Sequence, residues 1–448
     1  MAKAITAPTN KKLGQLLRSE GVDFVWLQFS DIEGQIKQIT IPARQWTEVV
    51  DHGQWFDGSS IQGFARTVEN DMYLMPDPST FALIPWESGT CTARVICDVL
   101  LPNGDPFPGD PRYVLKRQLE RARGMGFEYN IAPELEFFLF RRHEDGEVLP
   151  LQPLDQAGYF DISIDISRSI RRKIVESLAE MGVVINAFHH EVAEGQNELD
   201  MRYGPGLQLA DSTVTARIAA KAVAHQHGLF CSFLPKPMTG KSGSGMHVHQ
   251  SLLDPVTGRN LMYDDGHPYR LSQTALHFIA GQLEHAKAMA CVVAPLVNSY
   301  KRLVSGFEAP VKICWGRTNR GALIRVPRTT RDRSISTRCE LRSPDPSANP
   351  YLAFAVMLAA GLDGIEKEMQ PPNPLEEDLF QVTDRRHGYE SLPDSLGAAI
   401  EYLRDNHVLA DALGPHLHDT YVEAKTQEWI AFRTHVSTWE LNQYLATY

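Results

Sequence analysis

The alternation of apolar and polar positions predicts a mixture of helices and strands along the whole chain. Near the start, a helical period over residues 11–20 precedes two strand-like runs, VDFVWLQFS and IKQITIP, and residues 73–101 form another β-rich stretch. The segment NGDPFPGDP, residues 103–111, then contains three prolines and two glycines. Because such clusters mark linkers, we predict an N-terminal domain over residues 1–108 and a second domain over residues 109–448.

Helices and strands alternate in the predicted second domain. The helical segments cover residues 112–124, 168–182 and 212–228, and the strand-like segments are NIAPELEFFLF, INAFHHEV, FCSFLPKP and MHVHQSL. Two later helices have clear start signals, with Ser272 before TALHFIAGQLEHAKAMA, and Asn349 and Pro350 before YLAFAVMLAAGLDGI. The pattern is that of an α+β fold.

Length, composition and charge exclude several classes of protein. At 448 residues the chain exceeds the size at which a single hydrophobic core stops growing. Its net charge of −11 argues against binding of nucleic acid through clustered lysine and arginine. The start of the sequence lacks the apolar stretch of a secretory leader, and the sequence contains no run of 18 apolar residues. We therefore expect a cytoplasmic protein that binds no nucleic acid and no membrane.

Its six cysteines form no CxxC pair, which predicts reduced and mostly buried thiols.

Paired ionisable residues occur at positions i and i+2 in three predicted strands. Residues so spaced face the same way from a strand. The pairs are Glu134 and Glu136 in PELEFFLF, His247 and His249 in GSGMHVHQSL, and Glu340 and Arg342 in STRCELRSPDP. A solvated strand face gives the same pattern for any one pair, but the segment HHEVAEGQNELD adds Glu191 and Glu198 on either side of Gly195. Together these segments predict five carboxylates and a histidine around one centre.

Such a cluster requires cations. Two bare carboxylates about 4 Å apart repel each other by roughly 4 kcal/mol at an effective dielectric constant of about 20. Oxygen ligands with one histidine favour Mg²⁺ or Mn²⁺ over zinc, and ions of this kind commonly hold nucleotide phosphates. A Walker loop is absent from the sequence, since Pro235 stands where its first glycine is required. Metals and the nine arginines among residues 302–342 are therefore the candidates for holding a nucleotide.

Seven segments occur in an order that one enzyme family shares. They are FDGSSIQGF, PELEFFLF, HHEVAEGQNELD, GSGMHVHQSL, NSYKRLVSGFEAP, NRGALIRVP and ELRSPDPSANPYLAFA. Over essentially the whole chain they resemble the type I glutamine synthetases of the alpha subgroup. The resemblance implies a small β-grasp-like N-terminal domain and a larger catalytic domain, in which helices flank a curved antiparallel sheet. It also implies ATP-dependent ligation of ammonia to the γ-carboxylate of glutamate in a homo-oligomer, a double-ring dodecamer with active sites between subunits.

The resemblance further implies roles for the acidic cluster and for the ammonium site. The metal nearer to glutamate and ammonia would be bound by Glu136, Glu191 and Glu198, and the metal between the ATP phosphates by Glu134, His247 and Glu340. Asp57 would take a proton from ammonium across the subunit boundary. The residues beside it would be Ser60 and Tyr159, and Glu308 would close the site against water.

Other residues would hold the substrates. Glutamate would be bound by Arg302, Arg342 and the backbone at Gly243. Phosphate would be gripped by Arg320, Arg325 and Arg338, of which Arg320 also touches substrate, and the ATP base would lie beside His249 and Ser251.

Departures from the family pattern lie around the glutamate and acceptor pockets. Ser242 stands where asparagine is common, SGFEAP replaces PGYEAP, and WGRTNRG differs from WSA-x-NRS. An organic amine therefore stays open as an alternative to ammonia, although Asp57 and Glu308 favour ammonia, and a non-catalytic scaffold is a further alternative. Two positions bear on regulation. Phe380 replaces the tyrosine that some relatives adenylylate, and Arg66 matches an arginine tied to feedback inhibition by glutamine.

Overall fold

The structure is a computed structural model that describes most of the chain. The described residues are 10–59, 61, 71–162, 164–305, 309–319, 321–328, 334–376 and 389–448. Four predicted site residues lie outside these ranges, namely Ser60, Arg66, Glu308 and Arg320, and so does Phe380.

The N-terminal part of the chain forms a mixed sheet with its own core. Its elements are α1 (Asn10–Ser19), β1 (Phe24–Ser30), β2 (Ile36–Pro42), α2 (Trp46–His52), β3 (Gln54–Asp57), β4 (Asp71–Pro76), β5 (Ala82–Leu83) and β6 (Thr92–Leu100). The strand order is β2-β1-β6-β4-β3, with β5 also paired to β6. The β1 and β6 strands run parallel, and the other pairs are antiparallel. Helix and strand residues such as Leu13, Leu27, Trp46 and Val95 share one buried apolar cluster.

The rest of the chain is built on a nine-stranded sheet. Its strands are β7 (Glu128–Arg141), β8 (Ile185–His190), β9 (Gln196–Met201), β10 (Gly204–Pro205), β11 (Leu229–Ser232), β12 (Met246–Leu253), β13 (Lys312–Gly316), β14 (Ala322–Arg325) and β15 (Cys339–Leu341). The strand order is β13-β14-β15-β12-β7-β9-β8, and β10 and β11 also pair with β7. Only the β13–β14 pair is parallel among the pairs in the described ranges of this sheet.

Helices accompany this sheet. They are α3 (Pro111–Gly124), α4 (Arg168–Glu180), α5 (Gly206–Gln226), α6 (Gln273–Glu284), α7 (Ala286–Val293), α8 (Ser299–Arg302), α9 (Pro350–Glu366), α10 (Leu396–Arg404), α11 (His407–Leu413), α12 (Pro415–Thr434) and α13 (Thr438–Tyr444). Every residue of Pro350–Gly364 in α9 is buried. A Cβ on Gly281 of α6 would lie 2.1 Å from the carbonyl oxygen of Ala360, so α6 and α9 can pack this closely only with glycine there.

Buried ion pairs join the N-terminal sheet to the larger part of the chain. The Arg112 guanidinium in α3 lies 2.7 Å from carboxylate oxygens of Asp77 and Asp98, and 3.0 Å from Asp211 of α5. The Arg112 side chain is only 3% exposed, so losing one carboxylate would leave a buried charge undercompensated. These contacts fix the two sheets relative to each other.

The predicted α+β class is confirmed, with two corrections to its elements. The segment TALHFIAGQLEHAKAMA forms two helices rather than one, because helical geometry is interrupted at His285, whose Nε2 lies 2.9 Å from Asp363 Oδ2. Helix α5 begins at Gly206 rather than at residue 212. All six cysteines are free thiols, and five are buried, as predicted. Among the helices of the described ranges, none combines the length and the apolar character that crossing a bilayer requires.

Candidate active site

The register between neighbouring strands of the nine-stranded sheet places the ionisable side chains next to one another. Residues directly opposite each other in an antiparallel pair have Cβ atoms about 4.5–5.5 Å apart. The opposed pairs are His189 with Glu198, Glu198 with Glu136, Asp200 with Glu134, Glu134 with His247, and His249 with Glu340. Five neighbouring strands, β8, β9, β7, β12 and β15, therefore present a continuous row of carboxylates and imidazoles on one face of the sheet.

This face lines a cavity of about 790 Å³. The lining includes all six residues predicted to bind metal, namely Glu134, Glu136, Glu191, Glu198, His247 and Glu340. It also includes five residues predicted to bind substrate or nucleotide, namely Tyr159, Gly243, Arg302, Arg325 and Arg342. The structure thus brings together side chains that lie far apart in the sequence.

Three overlapping groups of residues offer ligand atoms at metal-binding separations. Within each group, one ligand atom per residue lies within 4.8 Å of the others. The groups are Glu134, His249 and Glu340; His189, Glu191 and Glu198; and Glu134, Glu198 and Asp200. The first two correspond to the two predicted metal positions, with His249 and His189 as additional candidate ligands.

Crowding raises the pKa of two carboxyl groups in the middle of the row. Burial, followed by the nearby Glu191 charge, raises the pKa of Glu136 to about 8. Burial and the Glu136 charge also raise the pKa of Glu198 far above its ordinary range. Without cations, both groups hold protons at neutral pH, because a second charge in this space is too costly.

The carboxylates nearer β12 and β15 are ionised through histidine and arginine contacts. Burial alone would raise the pKa of Glu134, but ring nitrogens of His247 and His249, 3.3 and 2.7 Å from its oxygens, hold that pKa well below the ordinary value. Burial would also raise the pKa of Glu340, but the neighbouring His249, His247 and Arg342 outweigh this effect and lower the pKa. A guanidinium nitrogen of Arg325 lies 3.0 Å from Glu340.

This donor set fits divalent cations. The row combines carboxylate oxygens with a few imidazole nitrogens, the set expected for Mg²⁺ or Mn²⁺ rather than for zinc. The pKa values of Glu136 and Glu198 are raised by burial and by neighbouring carboxylates, and a cation bound between the two groups would favour their charged forms.

Metal binding is expected to release protons at pH 7. Glu136, with its pKa raised to about 8, and Glu198, with its pKa raised further, must each lose a proton to become a ligand, so metal affinity should rise with pH through neutrality. Calorimetric titration of metal-free protein with Mn²⁺ in buffers of different ionisation enthalpy measures this release. The Glu136→Gln variant should release fewer protons, and an equal heat in all buffers at pH 7 would contradict the assignment.

One side-chain and one backbone hydrogen bond hold Glu136 in place. Its Oε2 accepts hydrogen bonds from Gln196 Nε2 at 2.8 Å and from the Gly245 amide at 3.0 Å. A Cβ on Gly245 would lie 2.5 Å from an Arg302 nitrogen, and one on Gly243 would lie 2.3 Å from the Pro235 carbonyl oxygen. Glycine is therefore required at both positions where the chain passes the cavity.

Four predicted arginines lie at or beside the cavity. The buried Arg302 guanidinium donates to the carbonyl oxygens of Arg342, Ser343 and Pro344 at 2.9–3.3 Å, and so braces the chain after β15. Arg342 lies 3.2 Å from Glu340, and Arg338 Nε donates to His249 Nδ1 at 3.1 Å. These contacts give the carboxylate row a positively charged border.

Some predicted residues lie away from the cavity in this chain or at its rim. Asp57, at the end of β3, is exposed, and its carboxylate accepts a hydrogen bond from the Ser59 amide, which lowers its pKa. Ser251 is buried in β12 and does not line the cavity. Tyr159 lies at the rim, 49% exposed, with its ring 5.4 Å from that of His189.

Sequence reasoning missed His189 and Asp200, which both line the cavity. Asp200 stands two residues after Glu198, the same spacing that identified the other pairs, so its position was accessible from the sequence. His189 lies opposite Glu198 in the β8–β9 register, with Nε2 3.5 Å from Glu198 Oε2. That contact depends on pairing between strands and has no signal in the local sequence.

Comparison with known proteins identifies the class. A model of the glutamine synthetase catalytic domain matches residues 108–444, and a model of the glutamine synthetase beta-Grasp domain matches residues 21–102. A glutamine synthetase of Thermus thermophilus is 49% identical, over 98% of this chain and 99% of the relative. One of Clostridium saccharobutylicum is 46% identical, with the same coverage.

Solved structures agree with this result. A complex of GmaS with ADP has a TM-score of 0.89 and 33% identity, and the match covers 97% of this chain and 99% of that one. The Plasmodium falciparum glutamine synthetase has a TM-score of 0.90 with 24% identity, over 99% of this chain and 100% of that one, and so shows the common fold. The chain belongs to the glutamine synthetase family.

Proposed function

We propose that this protein joins ammonia to the γ-carboxylate of L-glutamate, with ATP converted to ADP and phosphate through γ-glutamyl phosphate. The observation that carries the proposal is the gathering of all six predicted metal ligands on one cavity. It is supported by relatives named glutamine synthetase that are 43–49% identical over nearly their full length.

Two divalent ions, Mg²⁺ or Mn²⁺, would be held by the carboxylate row. The proposed ligands are Glu136, Glu191 and Glu198 for one ion, with His189 beside them, and Glu134, His247 and Glu340 for the other, with His249 beside them. Ions bound there would neutralise phosphate charge and polarise the phosphoryl group during its transfer to glutamate. The protein would contribute a cavity in which ligand atoms of several of these residues already lie within 4.8 Å of one another.

The arginines and the cavity backbone would position the substrates. Arg302 and Arg342 would bind the carboxylates of glutamate, together with the backbone at Gly243. The developing phosphate charge would be met by Arg320, Arg325 and Arg338, and the ATP base would lie beside His249 and Ser251. Glu308 would close the cavity, because an acyl phosphate must be kept from water until ammonia attacks.

Asp57 would take a proton from ammonium, since ammonium has no lone pair with which to attack. In this chain Asp57 is exposed and does not line the cavity, which supports its use by a neighbouring subunit, next to Ser60 of its own chain and Tyr159 of the neighbour. We therefore propose a homo-oligomer with shared active sites, a dodecamer of two hexameric rings. Native mass spectrometry tests this, with twelve chain masses as the expected result.

Ammonia is the proposed acceptor. The relatives named glutamine synthetase favour it over an organic amine, which was the alternative left open by the substitutions near Ser242. Product analysis with ammonia, methylamine, ethanolamine and a polyamine offered together at equal concentration, with glutamate, ATP and Mg²⁺, decides between them. Glutamine is the expected main product, and a predominant γ-glutamyl amide of another amine would refute the proposal.

Feedback inhibition by glutamine is expected to depend on Arg66. If Arg66 couples glutamine binding to activity, Arg66→Ala should raise the half-inhibitory glutamine concentration by about fivefold or more. Initial rates of phosphate release at increasing glutamine measure this. Arg44→Ala, which removes an exposed arginine elsewhere in the N-terminal part, is the control. Equal inhibition of both variants would argue against a role for Arg66.

The proposal also includes a domain boundary and a cellular location. We place the domain boundary between residues 108 and 109, which is supported by the end of β6 at Leu100 and the start of α3 at Pro111. A cytoplasmic location is supported by the six free thiols, which a reducing compartment maintains.

A further inference from the structure

A second cavity, of about 670 Å³, lies on the other face of the central sheet. Glu136 and Phe137 are adjacent in β7 and so point to opposite faces, and the Phe137 ring packs 5.6 Å from that of Phe233, which lines this second cavity. Its other walls come from α5, β11 and the turn between β1 and β2. It shares none of its described lining residues with the active-site cavity.

Three cationic side chains and one histidine line this cavity. Arg217, Lys221 and His225 follow one another at four-residue intervals on α5, a spacing that places them on one face of the helix, and Arg142 directly follows β7. Across the described ranges, none of the four has a carboxylate oxygen within 4 Å. The carboxylate of the cavity, Glu33, is already bound to Lys425 at 2.6 Å.

Arg217 is the most informative of the four because it is buried, with 8% exposure. Its Nη1 donates to the Ala348 carbonyl oxygen at 3.1 Å, which uses one of the five N–H donors of a guanidinium. Burial lowers the pKa of Arg217 to about 10, so the group is still charged at neutral pH. The charges of Asp345 and Asp31 offset only part of this effect of burial, and an anion in the cavity would offset more of it.

Much of the remaining lining is apolar, and Gln35, Ser232 and Ser347 add polar groups. The apolar lining residues include Leu229, Phe230, Phe233 and Leu234 in and after β11, and Ile218 of α5. Small-molecule sites commonly have volumes of about 300–1,000 Å³, mainly apolar walls and a few polar groups that orient the ligand. This cavity has each of those properties.

We propose that this cavity binds a small organic anion, in which an apolar body carries one carboxylate or phosphate group. The anionic group would lie against Arg217 and Lys221, and the apolar body against Phe230 and Phe233. Such a site is separate from the proposed catalytic reaction and from its substrates.

Fluorescence titration with 8-anilinonaphthalene-1-sulfonate tests the proposal on the native oligomer, with ADP and Mg²⁺ present to occupy the nucleotide site. Lys221→Gln removes one cavity cation, and Arg172→Gln removes an exposed cation of α4 outside the cavity as the matched control. Because a charge-assisted contact is lost, Lys221→Gln should weaken binding about tenfold or more. Arg172→Gln should leave binding unchanged, and both variants should keep their thermal midpoints.

Displacement of the probe by competing ligands identifies which anionic group the cavity prefers. 3-Phenylpropanoate and phenyl phosphate should displace the probe from the unaltered protein, and whichever does so at lower concentration shows whether carboxylate or phosphate is preferred. The uncharged 3-phenylpropan-1-ol should be much weaker. The proposal is overturned if the oligomer shows no saturable binding, if the two variants bind the probe equally, or if the alcohol competes as well as the anions.

Discussion

Asp57→Asn is expected to lose glutamine synthesis by about a hundredfold to ten-thousandfold, the contribution typical of a general base. Nucleotide and metal binding should be preserved, because Asp57 lies at the end of β3, away from the carboxylate row of the same chain. Rates of glutamine formation, together with calorimetric titration of ADP in the presence of Mg²⁺, measure the two effects separately.

The matched control is Asp71→Asn. Asp71 lies directly opposite Asp57 in the β3–β4 pair and is also exposed, so it tests whether any lost charge at this edge impairs the enzyme. Full activity of Asp71→Asn with loss of activity in Asp57→Asn supports a specific role. Normal turnover of Asp57→Asn would refute it.

Glu340→Gln is expected to reduce glutamine synthesis by about a hundredfold or more, because the change removes a proposed ligand of the metal between the phosphates. It also leaves Arg325 and Arg342, 3.0 and 3.2 Å away, without their shared counter-ion. Mn²⁺ affinity should fall as well. Electron paramagnetic resonance of free Mn²⁺ measures the affinity, and a thermal melt checks that the variant is folded.

Glu366→Gln is the control for this change. Glu366 in α9 is also paired with an arginine, Arg121, at 2.7 Å, but it lies outside the cavity. Activity and Mn²⁺ affinity should be retained in Glu366→Gln. Unchanged Mn²⁺ affinity in Glu340→Gln would remove Glu340 from the proposed ligand set.

The two inactive variants also test whether active sites are shared. If Asp57 serves the cavity of a neighbouring chain, dissociating and reassembling Asp57→Asn with Glu340→Gln in equal amounts should create about one functional site in four. If both residues served the same chain, the mixture would stay inactive.

Strand periodicity was sufficient to predict which carboxylates lie on the same face of a strand. The i, i+2 spacing placed Glu134 with Glu136, and the structure has both on the cavity. Periodicity could not show that β7 lies between β9 and β12, because pairing between distant strands depends on the whole fold. The family resemblance implied which residues share a metal, but not the order of the strands.

The helices, too, could be predicted where local sequence determines them but not where contacts with distant residues do. The start of α9 could be predicted, because the Asn349 side chain accepts hydrogen bonds from the amides of Tyr351 and Leu352 and Pro350 suits the first turn. The break between α6 and α7 could not, because it coincides with the contact of His285 with Asp363 on a helix distant in sequence.

The protonated carboxyls of the row have a consequence for the protein's lifetime in the cell. Folding brings acidic groups close together in a buried space, so a cation that binds there stabilises the folded chain by an amount that grows with the logarithm of its concentration. An ion at a hundred times its dissociation constant adds about 2.7 kcal/mol to folding stability. Starvation for divalent ions would therefore do more than slow turnover, because it would also enlarge the unfolded fraction that proteases remove.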